Sequence, residues 1–567
     1  MKRIILALAT VLFVIACLVS CGDGTDSGEH THSYGAWSES KAPTCTESGE
    51  RVQKCSCGET IKQSLAAKGH TYENGICKVC FAVDEGAYSK GLSFTPNGDG
   101  KTCFVSGIGA CTDKEIIIPP TYNGMAVTAI GEKAFWKNKS ITGVRIPEGV
   151  VSVGQLAFNA CSNITYAVLP SSLKVVEKYA FSYCSALAEI NLPRGLKEIG
   201  NGGFLSNGAT AITIDCEGLT LGEEAFAYSR SIESVTVNGG VDSVTRAAFS
   251  GCSALKELTL NDGVSIIGYE AFKNCSALVS ISLPSTLKTI ESSAFYGCAT
   301  LESIALPSGM DNIGSMAFYA CDNLKYVSFP SDIKEIHSEV FNKNRAIVCN
   351  ENGGCYYLGN EQNPYVLLLY ASESVTEVQV HEKTRFIGYS AFAACKQLTR
   401  VELPDSVEII GNSAFYGCSA LESVSLGGGL KVLGYSAFEN CSALKSIEIP
   451  AGITTVSEGA FRFCVKLSTV VLPSGLERID NGAFDGCTSL TSINLPQGLV
   501  FIGARAIADC DSLTKIIIPS SVEAIRDKGF CDNAVLTIYC RAQEQGSDWA
   551  SHWNWSLSPV EWGYTGE

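Results

Sequence analysis

The chain has 567 residues, of which 46% are hydrophobic and 18% are charged, and its formal net charge is −16. This apolar content excludes disorder over the whole chain, and the length exceeds what one hydrophobic core usually serves. The acidic balance argues against a nucleic-acid partner, because Lys and Arg would have to replace the counterions of the phosphates.

The first twenty residues have the pattern of a secretory signal. Two basic residues precede an apolar run over residues 4–19, which is short for a transmembrane helix. The sequence Leu-Val-Ser-Cys that ends at Cys21 resembles the bacterial lipobox, which implies that Cys21 is acylated and becomes the mature N-terminus. An ordinary signal peptide or an uncleaved anchor is the alternative. Residues 22–29 are rich in Gly, Asp and Glu, which predicts a flexible acidic tether.

Residues 30–83 combine cysteine and histidine with few large apolar residues. A unit of this size without a hydrophobic core needs a cross-link such as a bound metal or a disulfide. Paired thiolates on tight turns are typical zinc ligands. We predict structural zinc, with ligands drawn from Cys45, Cys55, Cys57, His70, Cys77 and Cys80. Disulfides, or neither zinc nor disulfides, stay open as alternatives. The stretch resembles small zinc-ribbon-like Cys/His modules of bacterial surface proteins, although the Cys55-x-Cys57 spacing is tighter than the usual Cys-x-x-Cys.

One aromatic position recurs along the rest of the chain with a step of 23 residues, one step of 22 and one gap of 51. Such a period is typical of a solenoid, in which each repeat contacts only its neighbours. The recurring residues are Phe135, Phe158, Phe181, Phe204, Phe226, Phe249, Phe272, Phe295, Phe318, Phe341, Phe392, Phe415, Phe438, Phe461, Phe484, Ile507 and Phe530.

Each repeat, or rung, is counted from this aromatic position. Positions +9 and +11 are apolar and alternate with polar residues, which predicts a short strand with one buried face. Proline at +12 in eleven of the seventeen repeats ends that strand. A second apolar pair precedes a turn, and we predict a helical turn at the aromatic position. One strand, two turns and a short convex segment are therefore expected per rung, with strands stacked in parallel.

Twelve of the 26 cysteines occupy position +3, which holds Asn or Ser in the other five repeats. Exchange of Cys for Asn or Ser at one structural position argues against disulfide pairing. A buried turn position explains it, because Asn bonds neighbouring backbone groups and a thiol is a small weak donor. We predict that these cysteines are free, buried thiols.

The gap of 51 residues contains one degenerate repeat, with Leu369 at the aromatic position, and the same counting places a first rung at Gly107. The array then has about nineteen rungs.

The predicted organisation is a signal peptide over 1–20, a tether over 21–29, the Cys/His module over 30–83, an N-terminal cap and first rung over 84–120, repeats over 121–345, an irregular long repeat with a loop over 346–383, repeats over 384–533, and a Trp-rich cap over 534–567.

The pattern Cys-x-x-Leu-x-x-Ile-x-Leu-Pro-x-x-Leu-x-x-Ile-Gly-x-x-Ala-Phe, carried by residues 441–461, resembles the BspA-like leucine-rich repeat family. The resemblance covers residues 100–540 and implies an α/β-type solenoid dominated by short parallel strands. It also implies a surface protein that binds host matrix, other cells or other macromolecules. The family brings no catalytic motif, and we predict that the chain is not an enzyme.

We predict a lipid-anchored protein of the bacterial cell surface that binds proteins or glycans through the exposed face of its strands. The alternative is a structural or assembly component of the cell envelope without a soluble ligand. Four tryptophans, Trp549, Trp553, Trp555 and Trp562, are interpreted as a cap rather than a partner site. The candidate ligand-binding residues are Glu189, Asn191, Arg400, Glu402, Ser423, Ser425, Glu448 and Asn494.

Overall fold

The computed structural model describes residues 33–55, 58–73, 76–77, 83–344, 346–393 and 395–566. The chain divides into two compact units, residues 1–88 and residues 89–567. The predicted signal peptide, the tether and Cys21 lie outside the described residues. Within the described ranges, no helix combines the length and the apolar character that crossing a bilayer requires.

The first unit is built from short antiparallel strands. The strands Ser38–Lys41, Gly49–Lys54 and Thr60–Leu65 form a sheet in chain order, and Tyr72–Glu73 pairs with Ile76–Cys77 in a hairpin. A three-residue 3-10 helix, Glu85–Ala87, follows. Among the described residues of this unit, all buried hydrophobic side chains belong to cysteines, namely Cys45, Cys55 and Cys77. The unit therefore lacks an aliphatic core over the part that is described.

The second unit is the predicted solenoid of parallel strands, with the predicted 23-residue step. A first strand in each rung covers positions near +8 to +10 and pairs in parallel with its counterpart in most neighbouring rungs. These first strands are Glu115–Ile117, Gly143–Arg145, Tyr166–Val168, Glu189–Ile190, Ala211–Ile214, Ser234–Val237, Glu257–Leu260, Ser280–Ser282, Ser303–Ala305, Tyr326–Ser328, Glu377–Gln379, Arg400–Glu402, Ser423–Ser425, Ser446–Glu448, Thr469–Val471, Ser492–Ile493, Lys515–Ile518 and Thr537–Cys540.

A second short strand in each rung corrects the prediction of one strand per rung. It contains the second apolar pair and forms its own parallel ladder, as in the pairing of Ile266 with Thr289 and of Ile267 with Ile290. The second strands are Thr102–Gly107, Met125–Ile130, Ser152–Val153, Val175–Val176, Glu198–Ile199, Thr220–Leu221, Ser243–Val244, Ile266–Ile267, Thr289–Ile290, Asn312–Ile313, Glu335–Ile336, Leu367–Ala371, Phe386–Ile387, Ile409–Ile410, Val432–Leu433, Thr455–Val456, Arg478–Ile479, Phe501–Ile502 and Ala524–Ile525.

Short strands cover both ends of the solenoid. At the start, Ser93–Pro96 pairs antiparallel with Thr102–Gly107, and Thr121–Tyr122 forms a hairpin with Met125–Ile130. At the end, Val560–Trp562 pairs in parallel with Thr537–Cys540. Trp549 and Trp553 are buried there, and the indole N–H of Trp549 donates to the Val522 carbonyl at 3.2 Å, whereas Trp555 and Trp562 are exposed.

The repeat aromatics form the centre of the core. Successive phenylalanine rings lie nearly parallel, with centroids 5.3 Å apart for the pair Phe295 and Phe318. The stack runs without a break from Phe135 to Phe341 and again from Phe392 to Phe484. Each offset pair contributes about 0.5–1.5 kcal/mol beyond the burial of its surface.

The segment around the aromatic consists of turns and not of the helical turn that the repeat pattern predicted. In the Phe272 rung, Glu270 and Asn274 have φ angles of 56° and 58°, in the left-handed region that interrupts a helix. The backbone N–H groups of Phe272 and Asn274 donate to the next rung, to Ala294 at 2.8 Å and Tyr296 at 2.7 Å. These bonds between rungs offset the backbone strain, about 1 kcal/mol or more for each non-glycine residue in that region.

In most repeats, position +3 is a buried hydrogen-bond donor to the preceding rung, which favours Cys, Asn and Ser there. The Cys298 thiol donates to the Phe272 carbonyl at 3.3 Å, and the Asn344 amide makes the equivalent bond to Phe318 at 2.7 Å. The Ser229 hydroxyl bonds to Phe204 at 3.4 Å. The cysteines from Cys103 to Cys540 are free thiols, which confirms the prediction for the array.

The 51-residue gap is a joint at which the regular stack is interrupted. The first strand Glu377–Gln379 has the position expected for a hidden rung, with Val378 and Val380 buried. At Leu369, however, the chain is extended in the strand Leu367–Ala371, so no residue continues the aromatic stack there. The extra residues form a hairpin of Asn350–Asn352 and Cys355–Leu358, which pairs with Leu367–Ala371.

The bond from position +3 predicts a difference between two substitutions of a fully buried thiol. Cys298→Ala removes the donor to the Phe272 carbonyl and should lower the free energy of unfolding by about 1 kcal/mol or more. Cys298→Ser keeps a donor, as Ser229 does, and should lower it less. Urea unfolding of the purified protein measures both values, and an equal or larger loss for the serine variant would contradict the bond's importance.

Burial of the thiols also predicts a loss of stability at alkaline pH. Burial raises the pKa of Cys161, Cys252 and Cys321 from about 9 to about 12. A raised thiol pKa favours the folded state below pH 9, and this contribution is lost as the pH rises from about 9 towards 12. At pH 10 each such thiol should cost about 1.4 kcal/mol relative to pH 7.

Urea midpoints at pH 7 and pH 10 measure this loss, and a Cys252→Ser, Cys321→Ser double variant is the control. The double variant should show a smaller shift of its midpoint than the original protein. Equal shifts in the two proteins would mean that other groups cause the alkaline destabilisation.

Candidate functional site

Six of the eight predicted ligand-binding residues lie on the outward side of the first strands, where alternate residues point away from the core, and Asn191 and Asn494 directly follow such strands. Seven of the eight are exposed, and Glu402 is half-buried. The surface that the outward residues of the first strands form is called the first-strand face below. The full set comprises Glu189, Asn191, Arg400, Glu402, Ser423, Ser425, Glu448 and Asn494.

Four of these residues form one group on adjacent rungs. The strand pairing places Arg400 beside Ser423 and Glu402 beside Ser425. The guanidinium of Arg400 donates to the Glu402 carboxylate along the same strand. Glu189 and Asn191 belong to a different part of the array, since the strand Glu189–Ile190 ends another sheet. Four of the eight candidate residues therefore lie together shortly after the joint.

A polar recess of about 430 Å³ adjoins this group. Glu402 and Ser425 line it from the side of the array, and Asn352 of the joint hairpin lines it from the other side. Gln379, His381 and Glu382 complete the polar lining. The recess thus presents amide, hydroxyl, imidazole and carboxylate groups to one small volume.

The joint holds the recess in place through buried aromatic contacts. Tyr357 of the hairpin is fully buried and packs edge-on against Tyr365, with ring centroids 5.4 Å apart. The ring of Tyr365 stacks on His381 at 3.8 Å, and the backbone N–H of His381 donates to the Tyr357 hydroxyl at 3.5 Å. His381 is consequently fixed at the edge of the recess by residues that the regular rungs do not contain.

Gln379, His381 and Asn352 were not among the predicted ligand-binding residues. A signal for Gln379 was present, because Val378 and Val380 at +9 and +11 place the residue between them on the outward side of a strand. Asn352 falls at position +11 of the Phe341 rung, where the repeat pattern predicts a buried apolar residue, so counting along the repeat did not mark it as part of a surface site. His381 follows the strand, and only its contacts at the joint bring it to the recess.

Arg385 connects the two sides of the joint. Its guanidinium donates to the carbonyl of Ser331 at 2.9 Å and to that of Ile333 at 2.6 Å, both more than fifty residues earlier in the chain. It also pairs with Glu408 at 2.6 Å, and Glu408 pairs in turn with Lys431. Burial alone would raise the pKa of Glu408, but hydrogen bonds from Lys431 and Arg385 outweigh it and hold that pKa below its usual value.

The joint also opens a cleft of about 740 Å³ among the turns and second strands. It lies between the Phe341 rung and the rungs that follow Leu367–Ala371, because the ladder of second strands stops at Glu335–Ile336 and resumes only after the hairpin. None of the predicted ligand-binding residues lines this cleft.

In the first unit, three of the six predicted metal ligands come together. One ligand atom each from Cys45, His70 and Cys77 lies within 4.8 Å of the others, and the two sulfur atoms are 3.7 Å apart. Cys55 does not belong to this group, although it is buried. Cys57 and Cys80 lie outside the described residues.

Repeated coils with two ladders of short parallel strands, built on a core of leucine, isoleucine and phenylalanine, define the class of leucine-rich repeat solenoids. The family model described as BspA type leucine rich repeat region, with six copies, matches residues 110–232, 219–348, 368–484 and 454–540. The chain therefore belongs to the BspA-type leucine-rich repeat family, as the repeat pattern indicated.

Several solved structures are similar to this chain. A leucine-rich repeat protein from Bacteroides ovatus is 28% identical, over 78% of this chain and 96% of its own, with a TM-score of 0.41. A leucine rich cell surface protein from Faecalibacterium prausnitzii is 26% identical, over 71% and 92%, with a TM-score of 0.30. The comparison with curated protein sequences returns no match. The family assignment rests on the sequence match to the repeat region.

The contacts of Arg385 predict that it stabilises the joint. Arg385→Ala removes charged donors from the Ser331 and Ile333 carbonyls, each bond worth about 1.5–3 kcal/mol. Amide hydrogen exchange should accelerate in residues 331–336 and in the joint hairpin. Lys431→Ala is the matched control, because Lys431 also pairs with Glu408 and, among the described residues, has no side-chain hydrogen bond to the rung before the joint. Equal acceleration in both variants would show that the Glu408 pair, and not the bridge, is responsible.

Proposed function

We propose that this protein is a lipid-anchored leucine-rich repeat protein of the bacterial cell surface that binds host or extracellular proteins or glycans. The observation that carries the proposal is the polar recess beside Glu402 and Ser425 on the first-strand face. Acylation of Cys21 would attach the chain to the membrane, in agreement with the lipobox-like sequence before it. No catalytic step forms part of this function.

The chemistry of the recess favours neutral or cationic groups of a partner. Glu382 and Glu402 supply carboxylates, while Asn352, Gln379 and Ser425 supply neutral donors and acceptors. Such groups bind sugar hydroxyls, peptide backbone or basic side chains through hydrogen bonds. The net charge of −16 disfavours polyanions over long distances. The remaining first-strand face, with small polar residues in successive rungs, offers an extended surface around this centre.

A binding experiment tests the proposal. The purified mature chain is screened against extracellular matrix proteins, mucins and a glycan array, and each ligand found is then measured with variants. Glu402→Ala and Gln379→Ala should each weaken binding about 10-fold or more, which corresponds to about 1.4 kcal/mol. Glu523→Ala is the matched control, because Glu523 is exposed and lies outside the first strands.

The outcomes separate the proposal from its alternatives. Binding that is unchanged by Glu402→Ala and Gln379→Ala would place the ligand site elsewhere and contradict the role of the recess. No ligand in the screen, together with cross-links on living cells only to neighbouring envelope proteins, would support a structural or assembly role. Thermal unfolding of each variant checks that the array is intact, which matters most for Glu402→Ala because Glu402 is half-buried.

A further inference from the structure

We propose that the first unit binds one zinc ion through Cys45, His70 and Cys77. This metal site is separate from the binding function proposed for the array and does not depend on it. The sequence pattern allowed six ligands and left disulfides open, whereas the geometry of the described residues brings three of the six together at a spacing that favours zinc.

The separation of the two sulfur atoms carries the choice of chemistry. Cys45 Sγ and Cys77 Sγ are 3.7 Å apart. Tetrahedral zinc with Zn–S bonds of about 2.3 Å requires about 3.8 Å between two thiolates. A disulfide would require about 2.05 Å. One nitrogen of His70 lies within 4.8 Å of both sulfur atoms, so all three ligand atoms surround one small volume.

The backbone brings the three residues together without any contribution from a metal. Cys45 lies in a tight turn in which the Thr44 N–H donates to the Glu47 carbonyl at 3.1 Å. The N–H groups of Lys68 and Gly69 donate to the carbonyls of Thr44 and Cys45 at 2.8 and 3.0 Å. These two bonds fix the segment that leads into His70 against the Cys45 turn.

Cys77 reaches the same place through the hairpin. It pairs with Tyr72, whose ring centroid lies 5.5 Å from that of His70. The chain segments around Cys45, His70 and Cys77 are therefore positioned by three separate sets of contacts. Two sulfur ligands and one imidazole that the backbone already holds close together form a preorganised site. Preorganisation reduces the entropy cost of binding an ion.

Burial supplies an independent argument. Cys45 is 4% exposed and Cys77 is fully buried, and the buried hydrophobic residues described in this unit are all cysteines. A fold of this size without an aliphatic core needs another source of stability, and a metal bound only by the folded state provides it. Two thiolates and an imidazole form a borderline-soft donor set that suits zinc and not calcium or magnesium.

Metal analysis of the full mature chain, purified without a chelator, tests the site. We expect about one zinc per chain, with a sulfur shell at about 2.3 Å in X-ray absorption spectra. Cys45→Ser, Cys77→Ser and His70→Ala should each lower the zinc content to below about a tenth per chain. Cys252→Ser is the matched control, because it changes a buried thiol of the array and should keep the zinc.

Further variants identify any fourth ligand. Cys55→Ser, Cys57→Ser and Cys80→Ser are measured in the same way, and a loss of zinc in one of them would complete the tetrahedral shell. Full zinc content in Cys45→Ser or Cys77→Ser would overturn the proposal. A Cys45–Cys77 disulfide found by peptide mapping of the unreduced protein would overturn it as well.

A second measurement keeps the test valid if a variant fails to fold. Zinc is removed from the original protein and replaced by cobalt(II), whose visible spectrum reports coordination number and thiolate ligands. Intense bands of tetrahedral cobalt with thiolate charge transfer are the expected result. Weak bands of octahedral cobalt, without a thiolate signal, would exclude the site.

Discussion

The carbonyl of the repeat phenylalanine is the group on which the solenoid depends. In the Phe272 rung it accepts the backbone N–H of Cys275 within its own turn and the thiol of Cys298 from the next rung. Phe272 is fully buried and a carbonyl can accept two hydrogen bonds, so a side-chain donor from the next rung completes its bonding. The ring of Phe272 also stacks on that of Phe295 in the same neighbouring rung. One position of the repeat therefore joins neighbouring rungs through both a hydrogen bond and a ring contact.

At the joint, residues outside the repeat pattern supply the hydrogen-bond donors and the buried aromatic side chains. Leu369 lies in a strand and not in a turn, and the joint hairpin pairs with that strand and contributes the fully buried Tyr357. Arg385 then supplies donors to carbonyls of the rung before the gap. Residues that do not follow the repeat pattern thus lie together at the joint, and the polar recess forms beside them. Regular rungs provide the scaffold, and the irregular one provides the distinctive surface.

The repeat pattern predicted the period, the buried aromatics, the free thiols and the position of the hidden first strand. It did not predict the second strand, because a pair such as Ser152–Val153 buries one side chain and is too short to show alternation. Nor did it predict the left-handed turns, since residues such as Leu156 and Met316 carry no local signal for positive φ. In the first unit the sequence named six candidate ligands but not their arrangement, because backbone contacts between distant segments bring Cys45, His70 and Cys77 together.

The bridge formed by Arg385 also bears on how such a chain can change in length. Within either block of regular rungs, each coil touches only its two neighbours, so recombination that adds or removes whole 23-residue units leaves every remaining contact intact. Across the joint, Arg385 contacts residues 52 and 54 positions away, and a hairpin lies between these contacts. Gene duplication can therefore vary the distance of the recess from either end of the array, while the recess itself is inherited as one indivisible segment.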